Sequence, residues 1–212
     1  MEKEVEISIK TTYFTQGILS EKTKNLWFVC HGYGQLTRHF IRRFDLLDVE
    51  TDFLIAPQGL SKFYLDSNYG HVGASWMTKE NRELEIENQW SYFDSIFEKE
   101  TEGLDLNKIN INLFGFSQGV STIWRWAARR KLPFQKLVMW AGEFPREFTK
   151  EQLEFVPEAS QLYVVIGKED QYYNPERQQY LVNKMTKLCK KTKEIIFEGK
   201  HEVKREILKL VL

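Results

Sequence analysis

The segment from Asn112 to Val120 reads NLFGFSQGV and places one serine between two glycines. Ser117 has Gly115 two positions before it and Gly119 two positions after it. Glycines at these places permit a sharp strand-to-helix turn that exposes a nucleophile, because a β-carbon there would collide with the adjoining backbone. An apolar run before the pattern and a helical periodicity after it favour this interpretation. We therefore predict Ser117 as an acyl-transfer nucleophile, the alternative being a structural turn with a spectator serine.

A serine hydroxyl needs a neighbouring base, which in proteins is normally a histidine. The chain has 4 histidines. His201 follows the last predicted strand and precedes the last predicted helix, where a loop can lower an imidazole onto Ser117. We interpret His31 as a residue that braces a glycine-rich turn and His39 as a solvated helix residue. His71 belongs to an irregular loop.

A carboxylate must orient such an imidazole. Asp170 comes shortly after the apolar run that ends at Gly167, and Glu169 is its neighbour and competitor. We favour Asp170 because the shorter side chain suits the orienting role. The resulting chain order, serine then aspartate then histidine, is the order found in α/β-hydrolases.

Acyl transfer also requires two N–H donors that stabilise the developing oxyanion. The backbone N–H of Gln118 is the first candidate, because it follows the nucleophile at a helix N-terminus. The second candidate is the backbone N–H of Tyr33, since His31-Gly-Tyr-Gly34 follows an apolar run and its glycines allow the chain to turn back. We predict that these two amides form the oxyanion hole.

The elements that carry these residues alternate between short apolar runs and helical periodicities. This alternation indicates an α/β fold with a mostly parallel sheet, helices on both faces and ligand sites at the carboxyl ends of the strands. Residues 5–16 read as one or two opening strands, and 202–212 as a last helix. Asn174 is a predicted N-cap for a helix from Pro175 to Lys190. The segment Gln58–Met77 has no clean period and is predicted as a long loop.

Bulk composition excludes several classes of function. A chain of 212 residues suits one domain spanning 1–212. Its 30 basic and 30 acidic residues give no reason to expect nucleic acid or an anionic membrane as a partner. The charged N-terminus lacks a signal-peptide pattern, and no run approaches the ~20 apolar residues of a membrane span. We expect a cytoplasmic monomer or homodimer. We also expect no metal or cofactor, because no cluster of histidine, cysteine and acidic residues has metal-ligand spacing.

Several blocks together resemble the small serine esterases of the carboxylesterase, lysophospholipase and acyl-protein thioesterase family. They run in the family's order along nearly the whole chain: HGYG, FLIAPQG, GASWM, DLNKININLFGFSQGV, VVIGKEDQYYNPE and FEGKHEV. The resemblance implies an α/β-hydrolase fold without a large cap domain. It also implies hydrolysis of small-molecule carboxylic esters through an acyl-enzyme, with no cofactor.

Departures from the family pattern bear on the substrate. Ser75-Trp-Met-Thr78 lacks the family's acidic residue, and Trp140 and Glu143 stand near the expected pocket. Bulky residues there favour short- to medium-chain acyl esters over the alternatives, a lysophospholipase or acyl-protein thioesterase. A non-catalytic, hydrolase-like binding protein is the second alternative. We predict that four aromatic residues line the pocket: Trp76, Trp140, Tyr64 and Tyr69.

Overall fold

A central β-sheet organises the computed structural model, which describes residues 1–149, 151–172 and 174–212. Seven strands of these described ranges form the sheet, and two more form a separate hairpin. In chain order the strands are β1 (Tyr13–Gln16), β2 (Asn25–Cys30), β3 (Asp52–Pro57), β4 (Ser61–Tyr64), β5 (Val72–Ser75), β6 (Asn110–Phe116), β7 (Lys136–Trp140), β8 (Gln161–Gly167) and β9 (Thr192–Phe197).

The order of strands across the large sheet is β1-β3-β2-β6-β7-β8-β9. β1 pairs antiparallel with β3, and the remaining neighbours pair in parallel. The prediction of a mostly parallel sheet is therefore confirmed. The central strands are apolar along nearly their whole length because both faces of the sheet are covered.

Helices cover both faces. They are α1 (Thr37–Phe40), α2 (Arg82–Thr101), α3 (Gln118–Arg130), α4 (Pro175–Leu188) and α5 (Arg205–Leu208), with short 3₁₀ turns at Ile41–Phe44, Leu106–Lys108 and Glu151–Leu153. α4 begins as predicted, and the side chain of Asn174 accepts a hydrogen bond from the N–H of Arg177. The last helix is shorter than predicted, because the N–H groups of Leu210 and Val211 donate to carbonyls only three residues back.

Two apolar cores lie on opposite sides of the sheet. Alternation along β2 shows the division: Leu26 and Phe28 belong to the core under α2 and α3, whereas Trp27 and Val29 belong to the core under α1 and α5. Successive side chains of a strand point to opposite faces, so one strand feeds both cores. The carboxyl ends of the parallel strands are thereby held at one edge.

Two local predictions were wrong. Residues 58–77 contain the antiparallel β4–β5 hairpin rather than a continuous loop, and the isolated bridge between Gln35 and Ala74 ties the hairpin to the segment after β2. The opening strand spans only Tyr13–Gln16, because the alternating residues before it are exposed and pair with no neighbouring strand. No helix in the described ranges is both long and apolar enough to cross a membrane.

Candidate active site

Ser117 lies in the turn between β6 and α3 with φ +53° and ψ −119°, a conformation that an L-residue rarely adopts. The flanking glycines make this turn possible. A β-carbon on Gly115 would lie 2.5 Å from the Cα of Val120, and one on Gly119 would lie 2.3 Å from the carbonyl oxygen of Cys30. The local sequence thus folds into a tight turn that holds the Ser117 side chain at the sheet edge.

Three side chains that are distant in sequence meet at this edge. His201 Nε2 lies 3.0 Å from Ser117 Oγ, and His201 Nδ1 lies 2.7 Å from Asp170 Oδ2. A carboxylate only accepts hydrogen bonds, so the Nδ1 proton donates to Asp170 and the Nε2 lone pair faces the serine hydroxyl. The arrangement can remove a proton from Ser117.

The loop after β8 presents Asp170 rather than Glu169 to the imidazole. The side chain of Asp170 is fully buried, and its second oxygen, Oδ1, accepts a hydrogen bond of 2.8 Å from the N–H of Tyr172. Glu169 is exposed, and its backbone N–H donates to the carbonyl of Gly199. Of the two sequence candidates, the structure therefore brings Asp170 to the site.

Aromatic residues fix the position of the histidine loop. The imidazole of His201 contacts the rings of Phe116 and Tyr172, at centroid distances of 4.9 and 5.0 Å. The indole N–H of Trp140 donates a 2.8 Å hydrogen bond to the carbonyl of Glu202, next to the histidine. These contacts restrict both the ring and the backbone that carries it.

The loop after β2 lies against the serine turn. A β-carbon on Gly32 would lie 3.2 Å from the Cβ of Ser117, so the backbone next to Tyr33 closely approaches the serine side chain. The Tyr33 ring points outward and packs on Phe63 at 5.1 Å. In the described part of the chain, the backbone N–H groups of Tyr33 and Gln118 donate to no other residue. Both remain available as donors to a bound oxyanion.

His31 braces this same loop from within the protein. Its ring is fully buried, with Nδ1 2.8 Å from the carbonyl of Gly32, and Nε2 accepts a 3.0 Å bond from the N–H of Gly59. Burial lowers the pKa of His31 to about 4, because the charged form loses its hydration. The imidazole is thus neutral at pH 7, with its proton on Nδ1.

The side chain of Gln118 has a positioning role that the sequence reasoning missed. Its Oε1 accepts a 3.0 Å bond from the N–H of Trp76, and its Nε2 donates a 2.7 Å bond to the carbonyl of Met77. Gln118 thereby fixes the serine turn to the segment after β5. The available signal was a polar residue between Ser117 and Gly119, a position where a side chain faces a neighbouring segment.

A cavity of about 980 Å³ opens beside Ser117 and His201. Its other described lining residues come from the first turn of α3, the segment after β7, the end of β8 with the loop that follows, and α4 with its N-cap. They are Gln118, Ser121, Ala141, Gly142, Glu143, Phe144, Arg146, Ile166, Gln171, Tyr172, Asn174, Arg177, Gln178, Tyr180, Leu181 and Lys184. The sequence analysis placed Trp140 and Glu143 near the pocket, and of these two Glu143 lines the cavity.

The four predicted pocket aromatics lie elsewhere. Trp140 is fully buried in the core beside Phe114, and Trp76 is buried against His31. Tyr64 and Tyr69 are exposed on the hairpin, where their rings contact each other at 4.8 Å. The prediction was wrong because sequence spacing does not reveal whether an aromatic residue near a strand end packs inward or faces the cavity.

Imidazole and carboxylate groups such as those of the site are also the ligand groups that metal ions require. The described residues contain no group of three histidine, cysteine or acidic side chains placed to hold a metal ion. The acidic and imidazole groups of the site instead form the linear Ser117–His201–Asp170 arrangement.

The architecture is shared with solved structures of distant sequence. Acyl-protein thioesterase 2 of Zea mays has 14% identity and a TM-score of 0.67, with 95% of this chain and 96% of that chain covered. A phospholipase/carboxylesterase from Dyadobacter fermentans has 16% identity and a TM-score of 0.67, with 97% and 96% covered. Esterase PE8 has 18% identity and a TM-score of 0.70, with 96% and 100% covered.

These similarities confirm the α/β-hydrolase fold, and the described residues form no separate cap domain over the sheet. Among curated protein sequences, none matches this chain. The sequence model of the phospholipase/carboxylesterase family, however, matches residues 18–212. The match spans most of the chain and supports ester hydrolysis as the general activity. The chain therefore belongs to the phospholipase/carboxylesterase family of α/β-hydrolases.

Proposed function

We propose that this protein is a serine carboxylesterase that acts through an acyl-enzyme on small-molecule esters. The observation that carries the proposal is the continuous hydrogen-bonded arrangement of Ser117, His201 and Asp170, with separations of 3.0 and 2.7 Å. Such an arrangement supplies a nucleophile, a general base and an orienting carboxylate. An adjacent cavity large enough for a small ester supports the same function.

In the first half-reaction, Ser117 Oγ attacks the ester carbonyl carbon while His201 Nε2 takes the hydroxyl proton. Asp170 holds the imidazole in the required tautomer and stabilises the imidazolium ion. The tetrahedral intermediate then collapses, the bond to the alcohol oxygen breaks, and His201 returns the proton to the leaving alcohol. The acyl group remains on Ser117.

In the second half-reaction, water attacks the acyl-enzyme and His201 takes a proton from that water. Collapse of the second tetrahedral intermediate releases the carboxylic acid, and the proton returns to Ser117 Oγ. In both halves, the backbone N–H groups of Tyr33 and Gln118 stabilise the oxyanion. Loss of one such donor costs roughly 3 kcal/mol of transition-state stabilisation in serine hydrolases.

The cavity supports a preference for short- to medium-chain acyl groups. Several charged side chains line it, among them Glu143, Arg146 and Arg177. An alkyl chain gains ~0.8 kcal/mol per methylene only where it follows apolar lining such as Phe144, Ile166 and Leu181, and the charged neighbours limit the length of that path. The rivals are a lysophospholipase and an acyl-protein thioesterase, for which activity should rise with chain length or depend on a thioester.

A ladder of p-nitrophenyl esters from acetate to palmitate separates these substrate classes. We expect kcat/KM to peak at short or medium acyl chains. A maximum at palmitate, or a much higher rate on matched thioesters than on oxygen esters, would instead support the rivals.

Labelling with a fluorophosphonate probe tests the nucleophile directly. Wild-type protein should be labelled, Ser117→Ala should not, and Ser91→Ala on the exposed face of α2 should be labelled like wild type. If correctly folded wild-type protein stays unlabelled at mildly alkaline pH and hydrolyses no ester, the acyl-enzyme proposal is wrong. The hydrolase-like binding protein then becomes the better interpretation.

A further inference from the structure

One wall of the cavity is a single face of α4 and its N-cap. Asn174, Arg177, Gln178, Leu181 and Lys184 are spaced by one, three or four residues, so they follow one side of a helix, and all line the cavity. This wall is polar at most of its positions.

The charged groups of the cavity are unbalanced. The described lining holds the cations Arg146, Arg177 and Lys184 but one carboxylate, Glu143. Glu143 lies 3.5 Å from both Arg146 and Arg177 and is shared between them. A surplus of positive charge therefore faces the space beside Ser117.

Lys184 carries part of that surplus. Its ammonium lies 4.4 Å from the centroid of the Phe144 ring, and in the described ranges it forms no ion pair with a carboxylate. The side chain is half-buried, so its charge is less well hydrated than that of an exposed lysine. A cation held over an aromatic ring at the wall of a cavity can still accept an anion on its open side.

Gln178 supplies a second, independent observation. The residue is only 7% exposed, and its side-chain nitrogen has no hydrogen-bond acceptor among the described residues. A buried donor without a partner costs about 1–3 kcal/mol, so such groups in native proteins usually mark a missing acceptor. Gln178 and Lys184 both line the cavity, but the Gln178 nitrogen is covered, so a ligand reaches it only if the side chain turns towards that space.

We propose that the α4 wall binds an anionic group of the substrate, so that the preferred substrates are esters carrying a free carboxylate at some distance from the scissile bond. Lys184 is the specificity-determining residue, and Arg177 adds a donor that Glu143 only partly occupies. This inference rests on the proposed esterase function and specifies its substrate class. The carboxylate can belong to the acyl part or to the alcohol part.

Matched ester pairs test the proposal and distinguish the two sources. On the acyl side, the mono-p-nitrophenyl ester of suberic acid is compared with the same ester in which the terminal carboxylate is a carboxamide. On the alcohol side, the butyrate ester of 3-(4-hydroxyphenyl)propanoate is compared with that of its carboxamide. In one of the pairs, wild-type kcat/KM should favour the charged member about tenfold at low salt, and added salt should reduce this ratio.

Variants identify the group responsible. Lys184→Met keeps the apolar stem and removes the charge, and it should bring the charged-to-neutral ratio close to 1. Lys187→Met, an exposed lysine on the same helix, should retain the wild-type ratio. Equal rates on both members of each pair by the wild-type enzyme, or an unchanged ratio in Lys184→Met, would overturn the proposal.

A direct binding measurement tests the anion site separately from the esterase function. Suberate titrated calorimetrically into wild-type protein should bind at least fivefold more tightly than into Lys184→Met, whether or not esters are hydrolysed. If suberate binding is equal in the two proteins while Ser117 still reacts with a fluorophosphonate, the anion site is wrong and the esterase function stands. If suberate binding differs but no ester is cleaved, the esterase function fails and the anion site stands.

Discussion

A β-carbon built on Gly167 would lie 2.4 Å from the carbonyl oxygen of Gly199. This close approach joins the end of β8, which leads to Asp170, to the loop that carries His201. No other residue type fits at 167 without moving one loop away from the other. The distance between the carboxylate and the imidazole thus depends on a glycine that contacts neither group.

We predict that Gly167→Ala displaces the histidine loop and lowers kcat/KM for p-nitrophenyl butyrate about 100-fold, since a misplacement of ~1 Å can have this effect. The free energy of unfolding should fall by about 1–3 kcal/mol through overpacking. Gly70→Ala is the matched control, because its β-carbon would meet nothing closer than 3.6 Å. Wild-type kinetics in Gly167→Ala would contradict the role of this contact.

Asp170→Asn should lower kcat about 10⁴-fold, as the corresponding change does in other serine hydrolases, because an amide can stabilise the wrong imidazole tautomer. Steady-state hydrolysis of p-nitrophenyl butyrate measures the effect. Glu169→Gln tests the competing carboxylate on the exposed side of the same loop and should stay within twofold of wild type. A larger loss in Glu169→Gln than in Asp170→Asn would reverse the assignment.

Gln118→Leu should reduce the free energy of unfolding by about 2 kcal/mol. The substitution removes the acceptor of the Trp76 N–H, and a buried polar group without a partner is costly. The carbonyl of Met77 loses the bond from Gln118 but keeps its 2.7 Å bond from Ser75 Oγ. Urea denaturation provides the measurement, with Gln179→Leu on the exposed face of α4 as the control. Equal stability of the two variants would show that the hydrogen bonds from the Gln118 side chain to Trp76 and Met77 do not stabilise the fold.

His31 predicts a specific dependence of stability on pH. Its pKa in the folded protein is about 4, below the ordinary value of 6.5, so the unfolded chain takes up a proton first as the pH falls. The stabilisation is complete above pH 6.5, declines between pH 6.5 and 4, and amounts to about 3 kcal/mol lost at pH 4.

Urea denaturation across this pH range tests the His31 prediction. The wild-type protein should lose more stability than His31→Asn, and the difference should change with pH only inside the window from 6.5 to 4. His39→Asn, which removes an exposed histidine, should follow the wild-type curve. A constant difference between wild type and His31→Asn at all pH values would contradict the burial of a neutral imidazole.

The local signals in the sequence were sufficient for a mostly parallel sheet and for three candidate side chains at one edge of it. Gly115 indicates a turn that packs on its own backbone at Val120, and apolar runs indicate strands that are covered on both faces. Parallel strands end at a common edge, so Ser117, Asp170 and His201 could be assigned to that edge from their places after strands. The structure then gives the distances between them.

Other features depend on which way a side chain faces, and the sequence alone does not encode that. Trp140 is the last residue of β7, at the edge where a pocket residue would stand, yet its ring packs into the same core as Val138 and its indole N–H donates to the carbonyl of Glu202. The β4–β5 hairpin at 61–75, the side-chain hydrogen bonds of Gln118 and the α4 wall of the cavity also depend on tertiary packing. Gln118 needs bonding partners at Trp76 and Met77, which are distant in sequence, and even the serine turn packs on a distant segment through Gly119 and Cys30.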